Sequence, residues 1–140
     1  MAGIVLTGHG NFATGILSAV ELIAGKQDGI QAVDFSDGMS VKELDLELKQ
    51  AATAVDGENG LVFFSDLVGG SPFKSSVLLA QSLDAEVIAG TNLPMILSVI
   101  FTAKSQSPLS LKEQALEEGK NGVLAFVMQA RVEIEDEDGI

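Results

Sequence analysis

The sequence predicts an α/β fold, doubly wound about a mostly parallel sheet, and three observations predict it. Short β-branched runs alternate with longer stretches whose apolar residues recur at helical spacing. The strand runs are apolar on both faces, as a sheet covered by helices on each side requires. The length, 140 residues, suits one domain of about 100–150 residues.

Gly3-Ile4-Val5-Leu6-Thr7 reads as a buried first strand, after which Gly8-His9-Gly10 turns the chain. Asn11 can cap a helix carried by Phe12, Ile16, Val20 and Ile23, and Gly25 stands where that helix stops. Ile30 to Phe35 is a second strand. Ser40 and Glu43 form a capping-box pattern before an apolar stripe of Val41, Leu44, Leu48, Ala51 and Val55. Gly60 to Ser65 is a third strand, and Ser71-Pro72 opens a third helix, with serine as cap and proline first inside it. Glu86 to Ala89 makes a short fourth strand. One helix follows Asn92-Leu93-Pro94, and another follows Ser110, with Glu113 completing a second capping box. Val123 to Val127 reads as a fifth strand. Residues 131–140, acidic from Glu135 to Asp138, read as a solvated tail after a domain at 1–130.

Composition removes several functions. Eight Lys and Arg stand against 20 Asp and Glu, a formal net charge of −12, which argues against nucleic acid and anionic membrane surfaces as partners. There is no cysteine, so disulfides, thiolate metal sites and thiol catalysis are excluded. With a single histidine, a metal centre is not expected either. No apolar stretch reaches the ~18 residues of a membrane span, and the first apolar run lacks the basic prelude of a signal peptide. A soluble, cytoplasmic domain without a cofactor is the expectation.

Open α/β sheets bind ligands beyond the carboxyl ends of their strands, where the strand order reverses. With strand order 2-1-3-4, that place lies between strands one and three. It gathers Thr7 to Asn11 with the segment Ser65 to Pro72. The histidine, His9, has a glycine on either side, which opens its ring to solvent and to a reactant. Asp66 either caps a turn or faces His9; facing it, the carboxylate would fix one tautomer and leave Nε2 as nucleophile. Gly69-Gly70 would bring backbone N–H groups to an anion, and the following helix start favours negative charge.

A nucleophilic imidazole beside an anion-binding turn describes phosphoryl transfer through phosphohistidine. Ser71-His9-Asp66 hydrolysis competes less well, because a serine in a helix cap is poorly placed and no Gly-x-Ser-x-Gly elbow exists. A dinucleotide site is the alternative: Gly8-His9-Gly10-Asn11-Phe12-Ala13 fits G-x-G-x-x-A, and Asp34 stands where a ribose-binding acid would. Against it, the chain is short for such an enzyme, and a histidine in that turn would crowd the pyrophosphate. No Walker A pattern is present, so the phosphoryl donor would be another protein or a metabolite.

Three segments carry a resemblance: Thr7-Gly8-His9-Gly10, then Asp66-Leu67-Val68-Gly69-Gly70-Ser71-Pro72-Phe73, then Val87 through Met95 with its Asn92-Leu93-Pro94. In order and spacing they resemble the IIA domain of the mannose-type sugar phosphotransferase system of bacteria, from residue 1 to about 126. The resemblance implies a phosphocarrier. His9 would accept the phosphoryl group from the phosphorylated histidine-containing phosphocarrier protein and pass it to a histidine of the IIB component, serving the membrane IIC/IID complex indirectly. Asp66 would orient the ring and Ser71 would bond the phosphoryl oxygens, with Gly10, Gly69 and Gly70 completing the phosphoryl-binding turn. It also implies a homodimer in which Val123 to Val127 crosses over as an antiparallel strand.

Overall fold

A computed structural model describes residues 2–55 and 60–128. Four strands, β1 (Gly3–His9), β2 (Ile30–Phe35), β3 (Leu61–Ser65) and β4 (Ala85–Ile88), form one sheet in the order β2-β1-β3-β4. Every pairing is parallel. The helices are α1 (Phe12–Ala24), α2 (Val41–Val55), α3 (Ser71–Ala80), α4 (Leu93–Val99) and α5 (Pro108–Asn121), with a 3₁₀ turn at Ala103–Ser105.

Alternation along the strands makes two cores, because successive side chains point to opposite faces. Ile4, Leu6, Val62 and Phe64 pack with Ala13 and Val20 of α1, Met95, Ile96 and Val99 of α4, and Leu111 and Ala115 of α5. Val5, Leu61 and Phe63 pack on the other face with Leu44, Leu48, Ala51, Ala52 and Val55 of α2 and with Leu79 of α3. Both central strands are buried on two sides, which is why their sequences run apolar without a polar beat. The arrangement is the doubly wound fold that the alternation of strands and helices predicts.

Local details differ: β3 and β4 each shift by one residue from the expected bounds, to Leu61–Ser65 and Ala85–Ile88. β1 runs two residues past Thr7, because β2 is long enough to pair His9 with Phe35. The cap of α3 is Gly70, in extended conformation, so Ser71 is the first helical residue. The cap of α5 is Ser107, whose Oγ accepts the Ser110 N–H at 3.2 Å, three residues before the expected start. Pro108 explains the shift, since its fixed φ and missing N–H suit the first helical turn. Val123 to Val127 joins no strand among the described residues: an apolar run without a backbone partner does not make a ladder. The acidic stretch 131–140 lies outside the described residues.

Candidate functional site

The loops after β1 and β3 meet at the carboxyl edge of the two central strands, where the order reverses. β1 delivers His9 at its last position, and β3 ends at Ser65 so that Asp66 follows as the first loop residue. His9 Nδ1 lies 2.7 Å from Asp66 Oδ2, and the same oxygen accepts the His9 backbone N–H at 2.9 Å. Asp66 Oδ1 accepts the Leu67 N–H at 2.9 Å. One carboxylate thus holds the histidine by backbone and ring together.

The environment sets protonation states. Burial pushes the Asp66 carboxyl up, but the His9 N–H, the His9 ring and the Leu67 N–H outweigh it and hold the group below its ordinary range. An ionised carboxylate only accepts hydrogen bonds, so Nδ1 carries a proton, and in the neutral imidazole the lone pair falls to Nε2. The Asp66 side chain is 12% exposed and that of His9 47%, so the anchor is half-buried while the imidazole reaches water.

Two further residues hem the ring in, and the motif reading named only one of them. Phe35, at the end of β2, meets the imidazole edge to face, with centroids 5.8 Å apart and planes at 70°. The signal for it was the strand order, which sets the last residue of β2 beside the last residue of β1. Gly70 lies against the opposite edge. A Cβ placed there would stand 2.6 Å from His9 Cε1 and 3.2 Å from Nε2. Gly70 adopts an ordinary φ of −76°, so its lack of a side chain answers to the ring and not to the backbone.

The remaining sequence candidates divide. Gly69 has φ of +88°, the left-handed conformation that turns the chain into α3. Ser71 Oγ has no hydrogen-bond partner among the described residues, so this hydroxyl, not needed as a cap, is open beside the N-terminus of α3. Gly10 is different: its N–H donates to the Phe35 carbonyl at 2.9 Å, which places it in the scaffold and leaves no donor for an anion. Asp34, the acid of the dinucleotide alternative, gives Oδ1 to the Thr14 N–H at 3.0 Å and Oδ2 to the Thr14 hydroxyl at 2.6 Å. Gly8 packs against Phe12, whose ring a Cβ would meet at 2.6 Å. Gly8 thus serves a helix that lies close on the strand, while Gly10, at φ +58°, turns the chain.

The arrangement can hold a nucleophilic nitrogen at a helix N-terminus with its tautomer fixed. Comparison with known proteins shows the family of the chain. The family model described as PTS system fructose IIA component, EIIA-man, matches residues 3–116. The chain is 32% identical over 126 residues to the mannose-specific EIIAB component of the Escherichia coli phosphotransferase system, an alignment covering 88% of this chain and 39% of that protein. The chain thus spans about two fifths of that relative. It is 30% identical to the sorbose-specific EIIA component of Lacticaseibacillus casei, covering 74% of this chain and 75% of the relative. The crystal structure of a phosphotransferase system EIIA component from Streptococcus agalactiae superposes with a TM-score of 0.82 at 29% identity, covering 89% of this chain and 97% of the other.

Proposed function

This chain belongs to the mannose-type family of phosphotransferase system IIA components, and on that premise we propose that it carries a phosphoryl group on His9 Nε2. The observation that supports the reading best is the 2.7 Å bond from His9 Nδ1 to a half-buried, ionised Asp66. The Nε2 lone pair forms the new N–P bond as the donor's bond to phosphorus breaks and its electron pair returns to the donor. Positive charge that develops on the His9 ring is met by the Asp66 carboxylate, and the Nδ1 proton stays where it is. Nothing is oxidised or reduced. Donors on the far side come from the start of α3: the Ser71 hydroxyl and the backbone N–H groups of the Gly69-Gly70 turn, aided by the helix dipole.

The donor in this reading is the phosphorylated histidine-containing phosphocarrier protein, and the acceptor is a histidine of the IIB component, which in turn serves a membrane IIC/IID complex. The carrier works in the cytoplasm as a homodimer, with residues 1–130 as its IIA domain. Exposed Leu67 and Val68 flank the site and give the partners an apolar contact around the reacting nitrogen. The test is intact-mass spectrometry after incubation with the general phosphotransferase proteins and phosphoenolpyruvate. One acid-labile phosphoryl adduct per chain, on the peptide holding His9 and absent from His9→Ala, is expected. An unmodified chain beside a phosphorylated donor would overturn the assignment.

A further inference from the structure

The end of β2 grips the histidine turn from both faces of the sheet. Gly8 pairs in register with Asp34, and His9 with Phe35. Asp34 shares the face of Ile30 and Ala32, where α1 packs, whereas Phe35 shares the other with Val33. On the second face the Phe35 ring meets the imidazole, and the Phe35 carbonyl takes the Gly10 N–H. On the first face the Asp34 carboxylate takes both Thr14 donors.

The Thr14 contact has a specific meaning. Asn11 is the N-cap of α1 but its side chain makes no capping bond. Thr14 is the third residue of that helix, whose N–H an N-cap side chain ordinarily satisfies. Asp34 therefore caps α1 from a neighbouring strand, with a charge of the sign that a helix N-terminus favours. The turn at Gly10 and Asn11 hangs between two carboxylates: Asp66 holds its start at His9, and Asp34 holds its end at α1.

We infer that Asp34 is a positioning residue for His9, acting through Thr14 and the first turn of α1 to keep the imidazole seated on Asp66. Its consequence for rate rests on the phosphocarrier reading; its consequence for ring geometry does not. Loss of the Asp34 cap lets the first turn of α1 drift, and His9 then shares Asp66 Oδ2 less well between its backbone and ring donors. Displacements of about 1 Å in a reacting group cost up to ~10²-fold in rate.

The test uses the full chain, with Asp34→Ala, Thr14→Val and Thr14→Ser, read by initial rates of phosphoryl uptake and by the ring ¹⁵N shifts of His9. Asp34→Ala and Thr14→Val should each slow uptake by about ten- to a hundredfold. Their Nδ1 and Nε2 signals should move toward those of a free, tautomerically averaged imidazole. Thr14→Ser, which keeps both donors, should retain the wild-type rate and shifts. Should Asp34→Ala not fold, the contrast between Thr14→Val and Thr14→Ser decides. A lowered melting temperature with unchanged rate and ring shifts would make Asp34 a purely structural cap and overturn the inference. A wild-type chain that takes no phosphoryl group, while Asp34→Ala still moves the ring shifts, would sink the carrier reading and leave the positioning role standing.

Discussion

At the scale of single residues, the site works by confining an imidazole without burying it. Asp66 holds Nδ1, Phe35 stands across the ring, and Gly70 leaves room at the Cε1 edge. Gly70→Ala should therefore injure function more than stability. The added Cβ displaces the ring, but a half-exposed ring swings into solvent, so unfolding free energy should change by only about 0.5 kcal/mol while phosphoryl uptake falls sharply. Urea denaturation alongside uptake kinetics separates the two. Asp66→Asn should slow uptake by about 10²–10⁴-fold, the range for losing a group that fixes a reacting imidazole. It should also change the acid response. The folded-state pKa of Asp66 is depressed, so its stabilisation is fully present above the ordinary carboxylate pKa, ~3.9, and is lost as pH falls through the folded value. The stability gap between wild type and Asp66→Asn should thus be widest near neutrality and close below about pH 4; a gap independent of pH would contradict an ionised Asp66. The meeting of His9 with Asp66 was legible in the sequence, because the strand order brings the loops after β1 and β3 together. Phe35 shows in the sequence only through the strand order that sets it beside His9, and the steric duty of Gly70 is not visible until the ring has a rotamer.

Elements show where local signals decide and where they compete. At the head of α2 Ser40 makes its half of the capping box, its Oγ accepting the Glu43 N–H at 3.1 Å, while its hydroxyl donates to Glu43 Oε1 at 3.2 Å. The similar pattern Ser110 to Glu113 does not start a helix, because Ser107-Pro108 already has. Ser107→Ala should accordingly cost about 1 kcal/mol, the usual worth of an N-cap, and Ser110→Ala much less. Equal losses in chemical denaturation would return the cap to Ser110. At α4, Asn92 Oδ1 accepts the Met95 N–H at 3.0 Å while its Nδ2 donates to the Gly119 carbonyl at 2.9 Å. A Cβ on Gly119 would collide with Met95 Cε, so α5 approaches α4 closely there. The Asn-Leu-Pro-Met run that marks the family at the sequence level is thus a structural joint between two helices. Asn92→Ala leaves an N-terminal N–H and a part-buried carbonyl unpaired together, and should lower stability by about 1–3 kcal/mol with uptake by His9 intact.

For the molecule as a whole, a sheet edge and an apolar run are left uncovered among the described residues. β4 is the outer strand of the sheet on its side, so one row of its backbone groups faces outward. Beyond α5, Val123, Leu124, Phe126, Val127 and Met128 are 62–86% exposed within the single chain. Six consecutive residues holding five large apolar side chains make a contiguous patch of the kind that soluble monomers seldom leave open. The composition of that run is what the sequence offers for a strand; its partner is not encoded locally, which is why periodicity predicted an element that one chain does not complete. The proposed homodimer answers both deficits, since an exchanged run from one copy lays down an antiparallel edge on the sheet of the other and removes two exposed surfaces at once. Sedimentation equilibrium on the full chain should then give a dimer, and a chain ending at Gly122 should give a monomer that still accepts a phosphoryl group, because His9, Asp66, Ser71 and Asp34 all lie within one copy. The shortened chain should also be less stable, and only the full chain should gain melting temperature with rising protein concentration. A full chain that stays monomeric at all concentrations would mean that the apolar run serves some surface other than a second copy of itself.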